Sequence, residues 1–201
     1  MYLHTTRLIL RNFIESDLEN FLAYRNDPEV AKYQGWGLPY PREKGEAFIS
    51  TMKDRIALKE NDWIQFAVAL KETDELIGDL GCYIKKDDIR QARIGFSLAA
   101  KYWRRGYVSE VVPYLLRYLF DDMDIHRVAA DCDEENIASY RTLEKLGFAA
   151  RRILLRVIWS MGFTRANITM PCCSGSGGKD PGNDRGLPEG AGLARAGNRE
   201  F

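Results

Sequence analysis

Apolar positions fall in short runs with two periods, and those runs predict the elements in order. Arg7-Leu8-Ile9-Leu10-Arg11 reads as a strand, an apolar run between charged ends. Ser16 followed by Glu19 predicts a capping box that opens a helix through about Arg25. Asp27-Pro28 predicts a further short helical turn, because proline at the first helical position gives up an N–H that has no partner there. Phe48, Met52 and Ile56 recur every four residues and predict a helix over 42–59. Trp63 to Leu70, Leu76 to Ile84 and Arg93 to Leu98 read as three strands, the first two joined by the turn Glu72-Thr73-Asp74-Glu75 as an antiparallel pair. A helix from about Gly106 to Phe120 and a strand over Arg127 to Cys132 come next. Another helix, Asn136 to Leu146, stops at Gly147, which suits a left-handed cap. Strands near 150–160 and 163–170 complete the body. This order predicts an α/β (α+β) fold with a mixed, mostly antiparallel sheet flanked by helices.

Composition changes the picture only at the far end. Of 201 residues, 45% are hydrophobic and 29% charged, which suits one domain with a substantial core. Residues 171–201 carry eight glycines and three prolines, with Leu187, Leu193 and Phe201 as their large apolar side chains. Such a stretch buries too little surface to offset its ordering entropy, so the expected division is a domain over 1–170 and a disordered tail over 171–201. Lys+Arg and Asp+Glu both number 29. That balance argues against binding dominated by nucleic-acid phosphate. No apolar run approaches the ~20 residues that cross a bilayer, and the first residues lack a secretory leader, so neither membrane nor nucleic acid is an expected partner and a cytoplasmic location is. Cys82, Cys132, Cys172 and Cys173, with His4 and His126, lack metal-ligand spacing, and no metal is expected.

Candidate chemistry lies in Ile94-Gly95-Phe96-Ser97-Leu98-Ala99-Ala100-Lys101-Tyr102-Trp103-Arg104-Arg105-Gly106-Tyr107-Val108-Ser109-Glu110. A strand enters a short loop with two arginines and a glycine, and a helix starts at once. Backbone N–H groups and the helix dipole converge there, an arrangement suited to phosphate or pyrophosphate. An ordinary strand–loop–helix with solvated arginines fits the same residues equally well. The second stretch runs Asp133-Glu134-Glu135-Asn136-Ile137-Ala138-Ser139-Tyr140-Arg141-Thr142-Leu143-Glu144-Lys145-Leu146-Gly147-Phe148, where Asn136 and Ser139 also suit simple helix capping.

Together these two stretches resemble the GNAT superfamily of acyl-CoA-dependent N-acyltransferases. His126-Arg127-Val128, Arg25-Asn26-Asp27-Pro28-Glu29-Val30 and Tyr33-Gln34-Gly35-Trp36 resemble its branch of Rim-type ribosomal-protein N-terminal acetyltransferases, over roughly residues 5–160. The resemblance implies a V-shaped splay between the strands at 93–98 and 127–132. It implies acetyl-CoA as co-substrate: Arg104, Arg105, Gly106, Tyr107, Val108 and Ser109 would hold the pyrophosphate. Phe96, Ser97 and Leu98 would pair with the pantetheine amides, and Asn136 would bond the same arm. Ser139 would sit by the thioester sulfur as a hydrogen-bond donor. Tyr33 and Trp36, with Tyr40, would line the acceptor side, although packing explains each equally well. The implied acceptor is a peptide N-terminal α-amine or, second, a small-molecule amine; an acyl-CoA-binding module with little turnover is the reading from another class. A monomer or homodimer would serve.

Several positions depart from the family pattern. Leu143 stands where many members carry a tyrosine, and Tyr140 faces differently on the helix. Arg93 stands where relatives often carry glutamate, so no general base is assigned. Arg104 replaces a usual glycine and Val108 a usual alanine. Pro113 removes a helical bond to the Ser109 carbonyl. Read two bases out of frame, the codons of Asn167 to Cys173 give a stretch resembling the family's last strand, so the tail is either frameshifted or lineage-specific.

Overall fold

The computed structural model describes residues 2–55, 62–150 and 165–171. Eight strands form one sheet in the order β1-β2-β3-β4-β5-β6-β8-β7. They are β1 Leu3–His4, β2 Leu8–Arg11, β3 Trp63–Leu70, β4 Leu76–Ile84, β5 Gln91–Leu98, β6 Arg127–Asp133, β7 Ala149–Ala150 and β8 Arg165–Pro171. Every neighbouring pair is antiparallel except β5 and β6, which run parallel. The helices are α1 Leu18–Arg25, α2 Pro28–Ala31, α3 Arg42–Lys53, α4 Tyr107–Arg117 and α5 Ile137–Lys145. The mixed, mostly antiparallel sheet flanked by helices is therefore the one the sequence pattern predicts. No helix of the described residues is long and apolar enough to cross a membrane.

The parallel pair is a consequence of its connection. A parallel neighbour needs a crossover of a dozen or more residues, and α4 between β5 and β6 supplies it. Val111, Val112, Leu115 and Leu116 give α4 an apolar stripe, and all four are buried. After Pro113 the helix still runs to Arg117, then widens into a π turn over Tyr118–Asp122 rather than continuing regularly to Phe120. Phe13, Phe21 and Phe48 close the core on the other side, Phe21 stacking on Phe48 at 4.8 Å and meeting Phe13 edge-on at 5.7 Å.

Some boundaries differ from the sequence reading. The helix expected to open on Ser16 and Glu19 instead begins with a 3-10 turn, Glu15–Asp17. Its N-cap is Ile14, whose N–H donates to the carboxylate of Asp17 three residues on, at 2.9 Å. Asp17 also accepts two bonds from Arg11, at 2.8 and 2.9 Å, while Arg11 Nε reaches Asp74 at 2.8 Å. This buried ion pair reaches back to β2, and it outcompetes a local box made by exposed side chains. The short turn expected at Asp27-Pro28 is α2, with Pro28 at its first position, and the Asp27 carboxylate caps it by accepting the Glu29 N–H at 2.9 Å. The helix expected over 42–59 ends at Lys53, with 56–59 outside the described residues. β5 starts at Gln91, two residues before the expected Arg93. Most of the strand expected near 150–160, and the tail after Pro171, lie outside the described residues.

Candidate active site

The site is built where β5 and β6 part. Their ladder runs from Gln91 opposite Arg127 to Ile94 opposite Ala130 and stops. β5 continues to Leu98 along β4, and β6 continues to Asp133 along β8. One edge of Gly95–Leu98 is thus left unpaired by β6, the V expected between these strands. A Cβ placed on Gly95 would meet nothing within 4 Å, so space lies open above that edge.

A cleft of about 380 Å³ opens there. Phe96, Ser97, Asn136, Ser139, Tyr33 and Trp36 all line it. Leu98 does not; its side chain is buried and its carbonyl accepts the Trp103 Nε1–H at 2.8 Å. The Asn136 carboxamide oxygen accepts the Ser139 N–H at 3.1 Å, so Asn136 does cap α5 while facing the cleft. Leu143 lines the cleft at the position lacking a tyrosine. Tyr140 bonds to Glu144, which pushes its hydroxyl pKa up and ties it along the helix surface.

The Arg104–Ser109 segment stands apart from that cleft, at the start of α4. Arg104 has φ 59° and Gly106 φ 78°, two left-handed residues flanking Arg105. Glycine takes this conformation freely, whereas Arg104 bears a cost of about 1 kcal/mol. Gly106 is the N-cap of α4 and no side chain caps that end. The first-turn N–H groups have no partner inside the helix, so they face outward as donors.

Three further residues, given no role by the sequence reading, line the cleft: Arg25, Asp79 and Asp131. Asp79, on β4, accepts from Tyr24 Oη at 2.5 Å and Arg25 Nη2 at 2.9 Å. Arg25 lies 3.8 Å over the Trp36 ring, and Trp36 Nε1 donates to the Arg25 carbonyl at 2.9 Å. Burial opposes the Arg25 charge, but Asp79 and the neighbouring tyrosines outweigh it and raise its pKa. Burial, then the Asp79 charge, pushes the Tyr24 hydroxyl well above its ordinary range. The third residue, Asp131, sits one position past the end of the β5–β6 ladder. Its Oδ2 meets Arg93 at 3.4 Å, while its Oδ1 is buried and has no hydrogen-bond partner. The available signal was an acid inside an apolar strand: Asp79 in Leu76-Ile77-Gly78-Asp79-Leu80, Asp131 after Val128-Ala129-Ala130.

Cys132 also lines the cleft. Burial and the charges of Asp131 and Asp133 push its thiol pKa up to about 11. Among the described residues no group of three or more His, Cys, Asp or Glu is placed to hold a metal ion.

Comparison with known proteins gives this geometry its family. Residues 7–149 match the model of the acetyltransferase (GNAT) domain. The chain is 32% identical over 161 residues to the uncharacterized N-acetyltransferase YoaA of Bacillus subtilis, spanning 80% of this chain and 89% of that protein. It is 35% identical over 147 residues to YnaD of the same organism, also an uncharacterized N-acetyltransferase, spanning 73% and 82%. A GNAT-family acetyltransferase from Bacillus anthracis superposes with a TM-score of 0.74 at 27% identity, over 85% of this chain and 98% of that one. A Vibrio cholerae structure named for ribosomal-protein-serine acetyltransferase has the same fold, with a TM-score of 0.70 at 20% identity over 85% and 97%. Strand splay, uncapped loop and family match converge, and the chain belongs to the GNAT family of N-acetyltransferases.

Proposed function

We propose that this enzyme moves an acetyl group from acetyl-CoA to a protein N-terminal α-amine. The observation that carries the reading is the parting of β5 from β6 beyond Ile94 and Ala130. The free edge of Gly95–Leu98 suits an extended chain of amides, which can add to it as a strand adds to a sheet. Phe96, Ser97 and Leu98 would hold the pantetheine arm there. Arg104, Arg105, Gly106, Tyr107, Val108 and Ser109 would hold the pyrophosphate with loop amides and positive side chains. Acetyl-CoA supplies a thioester whose carbonyl accepts the amine.

The protein's own groups serve the remaining needs. Asp131 Oδ1 is buried without a partner in a residue that lines the cleft, and it would accept the proton of the incoming ammonium. Backbone N–H groups on the open β5 edge would polarise the carbonyl. Ser139 Oγ would donate a hydrogen bond to the departing sulfur, since Leu143 offers no hydroxyl. Cys132, a neutral thiol below about pH 11, is unsuited to act as an intermediate acceptor, so transfer runs directly to the amine. Tyr33 and Trp36 would contact the acceptor residue next to the amine.

An α-amine has pKa about 8 against about 10 for lysine, so near pH 7 about a tenth of it is already neutral and it asks less of a base. A second reading, a small cationic amine as acceptor, draws on the carboxylates of Asp79, Asp131 and Asp133 in the cleft. Thiol release from acetyl-CoA with peptides of varied first residue, lysine-bearing peptides blocked at the N-terminus, and small polyamines separates them. Turnover with free-N-terminal peptides is expected; turnover confined to polyamines overturns the α-amine assignment. Catalysis is assigned to the domain over 1–170, and a chain ending after Pro171 is expected to keep its activity.

A further inference from the structure

One cluster outside the cleft is used by nothing so far. Arg7, just before β2, lies beside the start of α4, more than a hundred residues away in sequence. Its Nε donates to Glu110 Oε2 at 2.6 Å, and its backbone N–H donates to Glu110 Oε1 at 2.8 Å. The buried Thr5 hydroxyl donates to the same Oε1 at 2.6 Å. With Nε held, Arg7 Nη2 is delivered to the Arg105 carbonyl at 3.1 Å, and the guanidinium lies 4.6 Å over the Tyr107 ring.

We propose that Arg7 is the positioning residue of the coenzyme A loop, fixing through the Arg105 carbonyl the direction in which the loop presents its amides. The inference rests on the loop's assignment to the pyrophosphate. Its physical basis is the peptide plane: across a trans bond the Arg105 C=O and the Gly106 N–H point in opposite directions. Tying the carbonyl toward Arg7 therefore aims the Gly106 N–H away from Arg7. Free rotation of that plane is the natural weakness of a loop with left-handed residues on both sides of Arg105, and Arg7 removes it. A second effect is electrostatic. Glu110 stands in the first turn of α4, where its negative charge would repel a diphosphate, and Arg7 neutralises it. Burial would raise the Glu110 pKa, yet the Thr5 hydroxyl and the Arg7 groups outweigh it and hold the carboxyl below its ordinary range. The Arg7 side of this pair is about half open to solvent, where screening leaves an ion pair little weight in stability, so its effect belongs to ligand geometry.

The test uses the full chain and two donors: acetyl-CoA, and S-acetylpantetheine, which lacks the nucleotide and its pyrophosphate. Arg7→Met is expected to raise the KM for acetyl-CoA about tenfold with kcat nearly unchanged, and to leave the KM for S-acetylpantetheine unaltered. Arg7→Lys is expected to recover only part of the loss, because one ammonium restores the charge without the fork that spans Glu110 and the carbonyl. Equal losses on both donors would mean a general defect of fold and overturn the proposal; so would full rescue by lysine, which would reduce Arg7 to a charge. Gly106→Glu separates this failure from failure of the loop assignment. If it raises the KM for acetyl-CoA while Arg7→Met does not, the role of Arg7 falls and the loop stands. If neither variant changes it, the coenzyme lies elsewhere and both ideas fall.

Discussion

Around Arg104–Ser109 the groups turned outward are backbone N–H donors, set by two left-handed residues and an uncapped helix start. Under Trp36 the structure is made by side chains, with Arg25, Asp79 and Tyr24 locked into one another below the aromatic ring. The first region is cheap to build, since a glycine and a strand–loop–helix connection almost suffice. The second buries two opposite charges, each costly without the other. A ligand common to a whole family can be met by backbone, which tolerates changes of side chain such as Arg104. An acceptor that differs among relatives has to be met by side chains, and their positions are fixed by long-range pairs.

The contrast breaks most directly at Asp79. Asp79→Ala leaves the Arg25 guanidinium buried without its counter-charge, a loss of about 3–5 kcal/mol. For a domain of this size that lowers Tm by about 10 °C, measurable by calorimetry. The double change Arg25→Met with Asp79→Leu is expected to recover much of it, because both charges leave together. A Tm unchanged by Asp79→Ala would mean the pair bears no structural weight. No substitution confined to the Arg104–Ser109 backbone region should approach this cost.

Second in size is Asp131. If its free oxygen takes the proton of the amine, Asp131→Asn lowers kcat about a hundredfold and leaves the KM for acetyl-CoA nearly unchanged. Steady-state kinetics with a free-N-terminal peptide decide it. A kcat within about threefold of wild type would hand the proton to solvent instead.

The same contrast explains what could be read from the chain in advance. The β5 strand, the Arg105-Gly106 turn and the start of α4 follow one another within about twenty residues, so local pattern exposes them. Arg25 and Asp79 are 54 positions apart, and no local signal joins them. Asp131 was visible as an acid in an apolar strand, but its orphaned Oδ1 depends on where β6 leaves β5. The start of the first helix differs from its local pattern for a related reason: Ser16 and Glu19 satisfy a local rule, while Asp17 is held by Arg11 from β2 and accepts the Ile14 N–H. The V between the strands was expected by resemblance, whereas periodicity alone gives no ladder length.

Ser139 tests whether α5 belongs to the backbone region or to the side-chain region. Its amide is already engaged by Asn136, a capping role that any residue can fill. Its hydroxyl is the part with proposed chemistry. Ser139→Ala keeps the cap and removes the donor, so kcat should fall about tenfold with Tm preserved. Loss of Tm without loss of kcat would assign Ser139 to structure alone.

The smallest effect is expected at Cys132, and its smallness is the point. A thiol in the cleft beside the open β5 edge invites a two-step reaction, with the acetyl group passing first to sulfur and then to the amine. The environment opposes it: burial and two flanking carboxylates raise the pKa to about 11, so at pH 8 only about one molecule in a thousand carries the thiolate. Side chains in this part of the cleft thus suppress one nucleophile while Asp131 would activate another, the incoming amine. Cys132→Ala should therefore leave kcat within about twofold of wild type. Enzyme incubated with acetyl-CoA and no acceptor should show no added acetyl mass on the peptide bearing Cys132. Accumulation of that mass, discharged on addition of amine, would establish the two-step route and make Cys132 the residue on which the acceptor side depends.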